Sequence, residues 1–444
     1  MQETIAAVST PFGEGAIAML RMSGPEAFAI ADRFFRSRHG SVAEIPARYA
    51  QFGRVVDGEG RVLDEVVLTP FHPPASYTGE AMVEITCHGG ILITRRLLDL
   101  LLEHGARPAR GGEFTQRAFL NGRMDLTQAE AVMDLIKAQT DLALRAATEQ
   151  LEGRLGAEAG ELREGLLELL AHLEAYIDFP EEDIDPETGE HLLARLAQAE
   201  TRVSRLLGTA EQGRVLREGV RTVIYGAPNV GKSSLLNRLL GYERAIVSDL
   251  PGTTRDSIEE VINLHGIPVR LVDTAGVRSS DDLVEREGIA RTLRHLERAD
   301  LVLHLLDASQ PRSAQVESDP AHLLVLNKID LGEDPSWLGA EAVRLSCGTG
   351  EGMERLADAV FQRVMGGGAI GSDFTVAINA RHQACLKTAR THLLTARGGL
   401  ESGLSAEWIA IDVREALEAI GEIVGRVDTE ELLGKIFSTF CLGK

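Results

Sequence analysis

The chain of 444 residues has four cysteines, Cys87, Cys347, Cys385 and Cys441, far apart and without a C-x-x-C pair. That spacing supports neither a zinc site nor a disulfide framework, and a reducing cytoplasm is the simplest compartment for it. No run of about 18 apolar residues occurs, which excludes a membrane-spanning helix. Met1-Gln2-Glu3-Thr4 lacks the basic region and apolar core of a secretion signal. Positive charge is scarce: 46 Lys and Arg stand against 67 Asp and Glu, a net charge of −21. Broad, non-specific affinity for nucleic acid relies on neutralising phosphates and is therefore not expected. A local basic patch, or a basic partner, remains compatible with that balance.

What is there is ordinary for a soluble protein, with 44% hydrophobic and 25% charged residues. The length predicts two or three domains. The stretch that organises the rest is Gly226-Ala227-Pro228-Asn229-Val230-Gly231-Lys232-Ser233-Ser234. An apolar strand pattern, Thr222 to Tyr225, precedes it, and a helical pattern, Leu235 to Leu240, follows. In that context G-x-x-x-x-G-K-S is a phosphate cradle, with backbone N–H groups around phosphate oxygens. Lys232 is expected to reach the β- and γ-phosphates, with Asn229, Val230, Gly231 and Ser234 around them. The Ser233 hydroxyl is expected to hold Mg²⁺.

Three more segments fall in a consistent order. Thr253-Thr254 lies in a glycine-containing loop, with Thr254 as a second hydroxyl for Mg²⁺. Asp273-Thr274-Ala275-Gly276 closes a strand; its carboxylate would bind Mg²⁺ through water, and the Gly276 N–H would meet the γ-phosphate. Asn327-Lys328-Ile329-Asp330 closes another. The Asp330 carboxylate can accept from the N1–H and N2 amine of guanine, whereas adenine would leave it unpaired. Ser346 and Cys347 are placed to meet guanine O6 through backbone N–H. The ligand expected is GTP.

The glutamine that commonly follows such a D-T-A-G turn is absent; Val277 stands there. Candidates for catalysis are Glu285 and Arg278 further along that segment, Lys232, and Asn229 with a bound cation. A K⁺ ion beside the β/γ bridge would supply charge that an arginine supplies elsewhere.

Residues 1–117 read as a mixed α/β unit, with strands at 4–8, 16–21, 66–68 and 81–85. A turn at Cys87 to Gly90 leads into a helix over 91–102. Residues 118–214 read as long helices: Thr127 and Glu130 suggest a capping box, and a third helix is predicted over 189–212. Strands alternate with helices over 215–367, the pattern of a doubly wound sheet, with strands at 221–225, 259–264, 269–273, 301–306, 322–327 and 342–346. Helices return over 368–444. The fold class is α/β plus α: a P-loop GTPase domain with a mostly parallel sheet inserted in an all-helical domain, behind a mixed α/β N-terminal domain.

With these residues the chain resembles the MnmE (TrmE) family of tRNA-modification GTPases. Specific signals are Gly252-Thr253-Thr254-Arg255-Asp256, Tyr77-Thr78-Gly79-Glu80 with His88-Gly89-Gly90, Phe119 to Leu126, and the ending Phe440-Cys441-Leu442-Gly443-Lys444. The resemblance implies a homodimer through the N-terminal domain. It also implies a 5,10-methylene- or 5-formyl-tetrahydrofolate donor at Arg21, Glu84, Arg123 and Lys444. A K⁺ ion would be held by Asn229 and the carbonyls of Ser248, Leu250 and Thr253, with Glu285 positioning water. The implied reaction adds a carboxymethylaminomethyl group at C5 of the wobble uridine (U34) of certain tRNAs. The implied partner is an MnmG-type flavoprotein in a hetero-tetramer, in the cytoplasm and away from membranes. Read from the residues alone, Arg21 and Glu84 form a surface ion pair, and Cys441 is a packed tail residue. The rival reading is a ribosome-assembly or regulatory GTPase switch without one-carbon chemistry.

Overall fold

The structure is a computed structural model describing residues 3–38, 40–178, 189–242, 259–272, 295–312, 322–366, 377–425, 430–438, 440–441 and 443–444. It divides into two compact units, residues 1–133 with 421–444, and residues 134–420.

In the first unit the elements run β1 (Ile5–Val8), β2 (Ile17–Ser23), α1 (Ala27–Phe34), β3 (Phe35–Arg36), β4 (Gln51–Val56), β5 (Val62–Phe71), β6 (Met82–His88), α2 (Ile91–Glu103), β7 (Arg107–Pro108) and α3 (Glu113–Leu120). The seven strands form one sheet in the order β3-β4-β5-β6-β2-β1-β7. Pairings are antiparallel except β1 with β7. Alternation along β2 and β6 places Leu20, Met22, Val83, Ile85 and Cys87 on one face, under Ile30 and Phe34 of α1 and Leu97 and Leu101 of α2. The opposite face carries Arg21 and Glu84, opposed in register. Behind β1, Ile5, Ala7, Ala109 and Phe114 make a second small core.

Cys87 and His88, expected in a turn, are instead the last residues of β6; the turn is confined to Gly89 and Gly90. A Cβ on Gly89 would lie 2.4 Å from the Gly15 carbonyl oxygen, so the β1–β2 loop closes directly over it. Helix α4 (Leu126–Lys137) starts earlier than expected. The reciprocal cap joins Asp125 and Gln128, not Thr127 and Glu130. Gln128 N–H donates to Asp125 Oδ1 at 2.9 Å, and Asp125 N–H donates to Gln128 Oε1 at 3.0 Å.

The second unit continues with α5 (Asp141–Leu151), α6 (Arg154–Asp178), α7 (Gly189–Gly208) and α8 (Ala210–Glu218). The helix expected over 189–212 is thus two, broken at Thr209. Next come β8 (Val220–Tyr225), α9 (Lys232–Tyr242), β9 (Glu259–Leu264), β10 (Ile267–Val272), β11 (Leu301–Asp307), β12 (His322–Asn327) and β13 (Val343–Arg344). Their order is β13-β12-β11-β8-β10-β9, parallel throughout except the edge strand β9. The central strands are rich in Val, Ile and Leu because both faces are covered. Val220, Ile224, Leu235, Leu239, Leu303, Leu305 and Val325 share the core with Leu356 and Val360 of the helix Met353–Met365.

The helix Ala380–Glu401, after the sheet, packs along α7, before it. Arg397 of the former is ion-paired with Glu200 of the latter. Helices on either side of the sheet in sequence therefore form one helical body, as expected of a sheet domain inserted in a helical one. Among the described residues no helix is long and apolar enough to cross a membrane.

Candidate functional site

Strand β8 ends at Tyr225 and α9 begins at Lys232, so residues 226–231 are the whole of the connection. Both glycines of the motif are required sterically. A Cβ at Gly226 would sit 2.2 Å from the Leu305 carbonyl oxygen, and one at Gly231, at φ +103°, would sit 2.3 Å from Asn327 Nδ2. Between them Asn229 takes the left-handed conformation at φ +65°, which asparagine tolerates. The turn delivers the first N–H groups of α9, which have no helical acceptor, to one side of the sheet edge. Ser233 and Ser234 are exposed there. The Lys232 ammonium donates to the carbonyls of Gly226 at 2.9 Å and Ala227 at 2.8 Å, and burial lowers its pKa.

The end of β12 closes against this turn. Asn327, 2% exposed, donates through Nδ2 to the Val230 carbonyl at 2.9 Å and accepts the Cys347 N–H on Oδ1 at 2.9 Å. Lys328 follows at φ +65°, its ammonium 2.6 Å from Asp307 Oδ2. Burial would raise the Asp307 pKa, but Lys328 and Ser309 hold it below the usual carboxylate value. Asp330 stands exposed in the next turn, Ile329–Leu331.

Ser346 is fully buried, and burial pushes the Cys347 thiol up to about 11. The N–H groups of both, expected to face guanine O6, are engaged inside the protein. Ser346 N–H donates to the Glu351 carbonyl, and Cys347 N–H to Asn327. Ser248, Leu250, Thr253, Thr254, Asp273, Gly276, Arg278 and Glu285 lie outside the described residues.

The first unit brings together three of the four residues expected to hold a folate. Arg21 Nε and Nη2 both donate to Glu84 Oε1, at 3.0 and 2.7 Å. The pair is not a surface ion pair: the two side chains are 11% and 19% exposed. The guanidinium carbon lies 5.1 Å from the Tyr77 ring centroid and 5.7 Å from that of Phe114. Tyr77 belongs to the Tyr-Thr-Gly-Glu segment noted in the sequence, but nothing there pairs it with Arg21.

The chain's tail completes this corner. Ser9 Oγ donates to the Gly443 carbonyl at 3.3 Å, Phe114 N–H to the Lys444 carbonyl at 3.2 Å, and Gly112 N–H to the Cys441 carbonyl at 3.4 Å. Lys444 is brought beside Arg21 and Glu84. Burial lowers its pKa, Arg21 lowers it further, and Glu84 opposes them. Cys441 is exposed, not packed. Arg123 is exposed after α3, its stem beside Gly79; among the described residues no ion pair or side-chain hydrogen bond joins it to the other three.

Residues 4–123 match the family described as GTP-binding protein TrmE N-terminus, and residues 126–441 match the MnmE helical domain. The tRNA modification GTPase MnmE of Akkermansia muciniphila is 54% identical over 449 residues, covering 100% of this chain and 99% of that protein. Those of Aquifex aeolicus and Geobacillus kaustophilus are 46% and 45% identical, covering all of this chain and 100% and 99% of theirs. The chain belongs to the MnmE family of tRNA modification GTPases.

Proposed function

We propose that this GTPase of tRNA modification acts at C5 of the wobble uridine, adding a carboxymethylaminomethyl group together with an MnmG-type flavoprotein. The observation that carries the nucleotide part is the Asn327 bridge, which holds a base-reading strand end against a phosphate-binding turn. Residues 215–367 act as the GTPase domain, 118–214 and 368–444 as the helical arm, and 1–117 as the folate-binding and dimerisation domain.

The described groups fit a guanine nucleotide. Free N–H groups and Lys232 suit phosphate, an exposed Ser233 hydroxyl suits Mg²⁺, and the Asp330 carboxylate suits the N1–H and N2 edge. Mg²⁺ would screen phosphate charge. Asn229 contributes its side chain toward K⁺, which would offset charge at the breaking bond. Hydrolysis toggles paired nucleotide domains between two states that the helical arms pass on.

The Arg21–Glu84–Lys444 corner fits a tetrahydrofolate. Two adjacent cations suit its anionic tail, a carboxylate suits the N–H edge of a pterin, and Tyr77 with Phe114 gives ring contact. Loss of the chain from cells should remove the C5 modification from wobble uridines, read by nucleoside analysis of purified tRNA. Restoration by the wild-type chain and not by Lys232→Ala is expected. Unaltered wobble uridines in its absence would overturn the proposal.

A further inference from the structure

The loop from Thr10 to Gly15 joins β1 to β2 and is pinned at both ends. Ser9 N–H donates to the Met19 carbonyl at 2.7 Å, and Met19 N–H donates to Thr10 Oγ1 at 3.2 Å. At the other end Gly15 N–H donates to the Gly89 carbonyl at 2.9 Å, and Gly89 N–H to the Ala16 carbonyl at 3.3 Å. Beneath the loop is a cavity of about 280 Å³, with Val8, Phe12, Glu14, Ala18, Ile91 and Thr94 in its wall. That is near the lower end for a small-ligand cleft, with room for one ring system.

The mouth of the cavity is apolar and open. Phe12 is 76% exposed and Leu92 71%, and Ile17 and Ile91 are more than half exposed. An exposed apolar patch of this kind marks a contact site. The Phe12 ring has no aromatic or cation–π partner among the described residues, so its face is free. Arg95 and Arg96 follow Ile91 and Leu92 by one turn of α2, on the same side of the helix. Both are exposed, and neither has an ion pair or side-chain hydrogen bond among the described residues. By contrast Arg54, Arg61, Arg107 and Arg117 of the same unit are each paired with acids. The acids of the loop and of α2 are Glu14, in the cavity wall, and Asp99 and Glu103, further along the helix.

An aromatic face, two guanidinium groups and an acceptor are the parts of a single-stranded RNA contact. A base stacks, phosphates pair, and an N–H of the base edge meets the carboxylate. We propose that this cavity holds one unstacked base from the anticodon loop of the substrate tRNA, stacked on Phe12, with Arg95 and Arg96 on the phosphates beside it. The inference rests on the wobble-uridine reading and adds the surface that holds the loop. The base is one that flanks the modified uridine, not the uridine itself. Val8 and Ala18 belong to the core under α2, whereas Arg21 and Glu84 lie on the other face of the sheet. A base in the cavity is therefore across the sheet from the one-carbon corner.

The experiment uses the full chain and a fluorescein-labelled anticodon stem-loop with an unmodified wobble uridine. A fully paired RNA duplex of equal length is the control, and binding is read by fluorescence anisotropy. Wild type should prefer the stem-loop. Phe12→Ala should lower stem-loop affinity about tenfold, the scale of one lost base–aromatic stack, and leave duplex affinity within about twofold. Phe12→Trp, which keeps the stack, should stay near wild type. Arg95→Gln with Arg96→Gln should reduce the slope of log affinity against log salt by about 1.4, two phosphate contacts at about 0.7 each. Unchanged stem-loop affinity in Phe12→Ala, or an equal loss for the duplex, would overturn the subsite and leave the wobble-uridine reading standing. So would a Phe12→Ala chain whose sedimentation shows a lost dimer while its RNA affinity holds, which would assign the patch to a second copy. A wild type with no preference for the stem-loop would overturn both. Circular dichroism of each variant shows that it is folded.

Discussion

Asn327 Nδ2 donates to the Val230 carbonyl at 2.9 Å, so the residue that ends β12 is tied to the turn that precedes α9. Its other amide atom accepts the Cys347 N–H, and one buried side chain therefore couples three loops. Asn327→Ala leaves a carbonyl and an N–H without partners, at about 1–3 kcal/mol each where buried. GTP affinity should fall at least about tenfold and thermal stability by several degrees. Titration with a fluorescent GTP analogue and a thermal melt check both; unchanged affinity would contradict the coupling.

The tail of the chain depends on Gly443, at φ +87°. A Cβ there would lie 2.5 Å from the Val8 carbonyl oxygen and 2.8 Å from Ser9 Cα, both backbone atoms that cannot swing aside. Gly443→Ala should undock Lys444 from Arg21 and Glu84. Calorimetric titration with a tetrahydrofolate derivative should then show affinity at least about tenfold weaker, from lost charged contacts. Equal affinity would separate the tail from folate binding.

Glu113 gives the first unit an acid-sensitive limb. Burial alone would raise its pKa, but hydrogen bonds from the Arg107 side chain, the Arg110 N–H and the Arg117 side chain bring it down to about 2. The unfolded chain, near 4.5, takes up the proton first. The stabilisation is therefore present above about pH 4.5 and lost as pH falls toward 2; on this scale it amounts to about 3 kcal/mol. Glu113→Gln should be less stable than wild type at pH 7. The gap should narrow on acidification through this window, as followed by denaturant melts. A gap that does not change with pH would contradict the assignment.

Much of this was legible in advance, for reasons that differ by region. The GTPase sheet announced itself because its buried parallel strands are rich in Val, Ile and Leu, and the strand at 322–327 matches to the residue, as does the antiparallel edge strand at 259–264. Strand β4 was missed because Gln51-Phe52-Gly53-Arg54 has no apolar alternation. Gly53 is there to admit the Phe35 ring, 2.4 Å from where its Cβ would be, and no local pattern reports that. The Arg21 site depends on tail residues more than 400 positions away, so only family resemblance could assemble it.

The cation reading is tested by turnover. Replacing Na⁺ with K⁺ at constant ionic strength should raise GTP hydrolysis at least about tenfold, as expected when a developing charge gains a bound counter-ion. Asn229→Ala should erase the difference between the salts. Equal rates of the wild type in both would remove K⁺ from the mechanism.

The central claim is that this site selects a guanine nucleotide through the carboxylate of Asp330, and exchange of base specificity tests it most directly. Equilibrium titration of the wild type and Asp330→Asn with GTP and xanthosine triphosphate should show the wild type favouring GTP. The variant, offering an amide where xanthine presents a carbonyl, should bind GTP at least about tenfold more weakly and favour xanthosine triphosphate. A variant that keeps wild-type GTP affinity and gains nothing for xanthosine triphosphate would contradict the account.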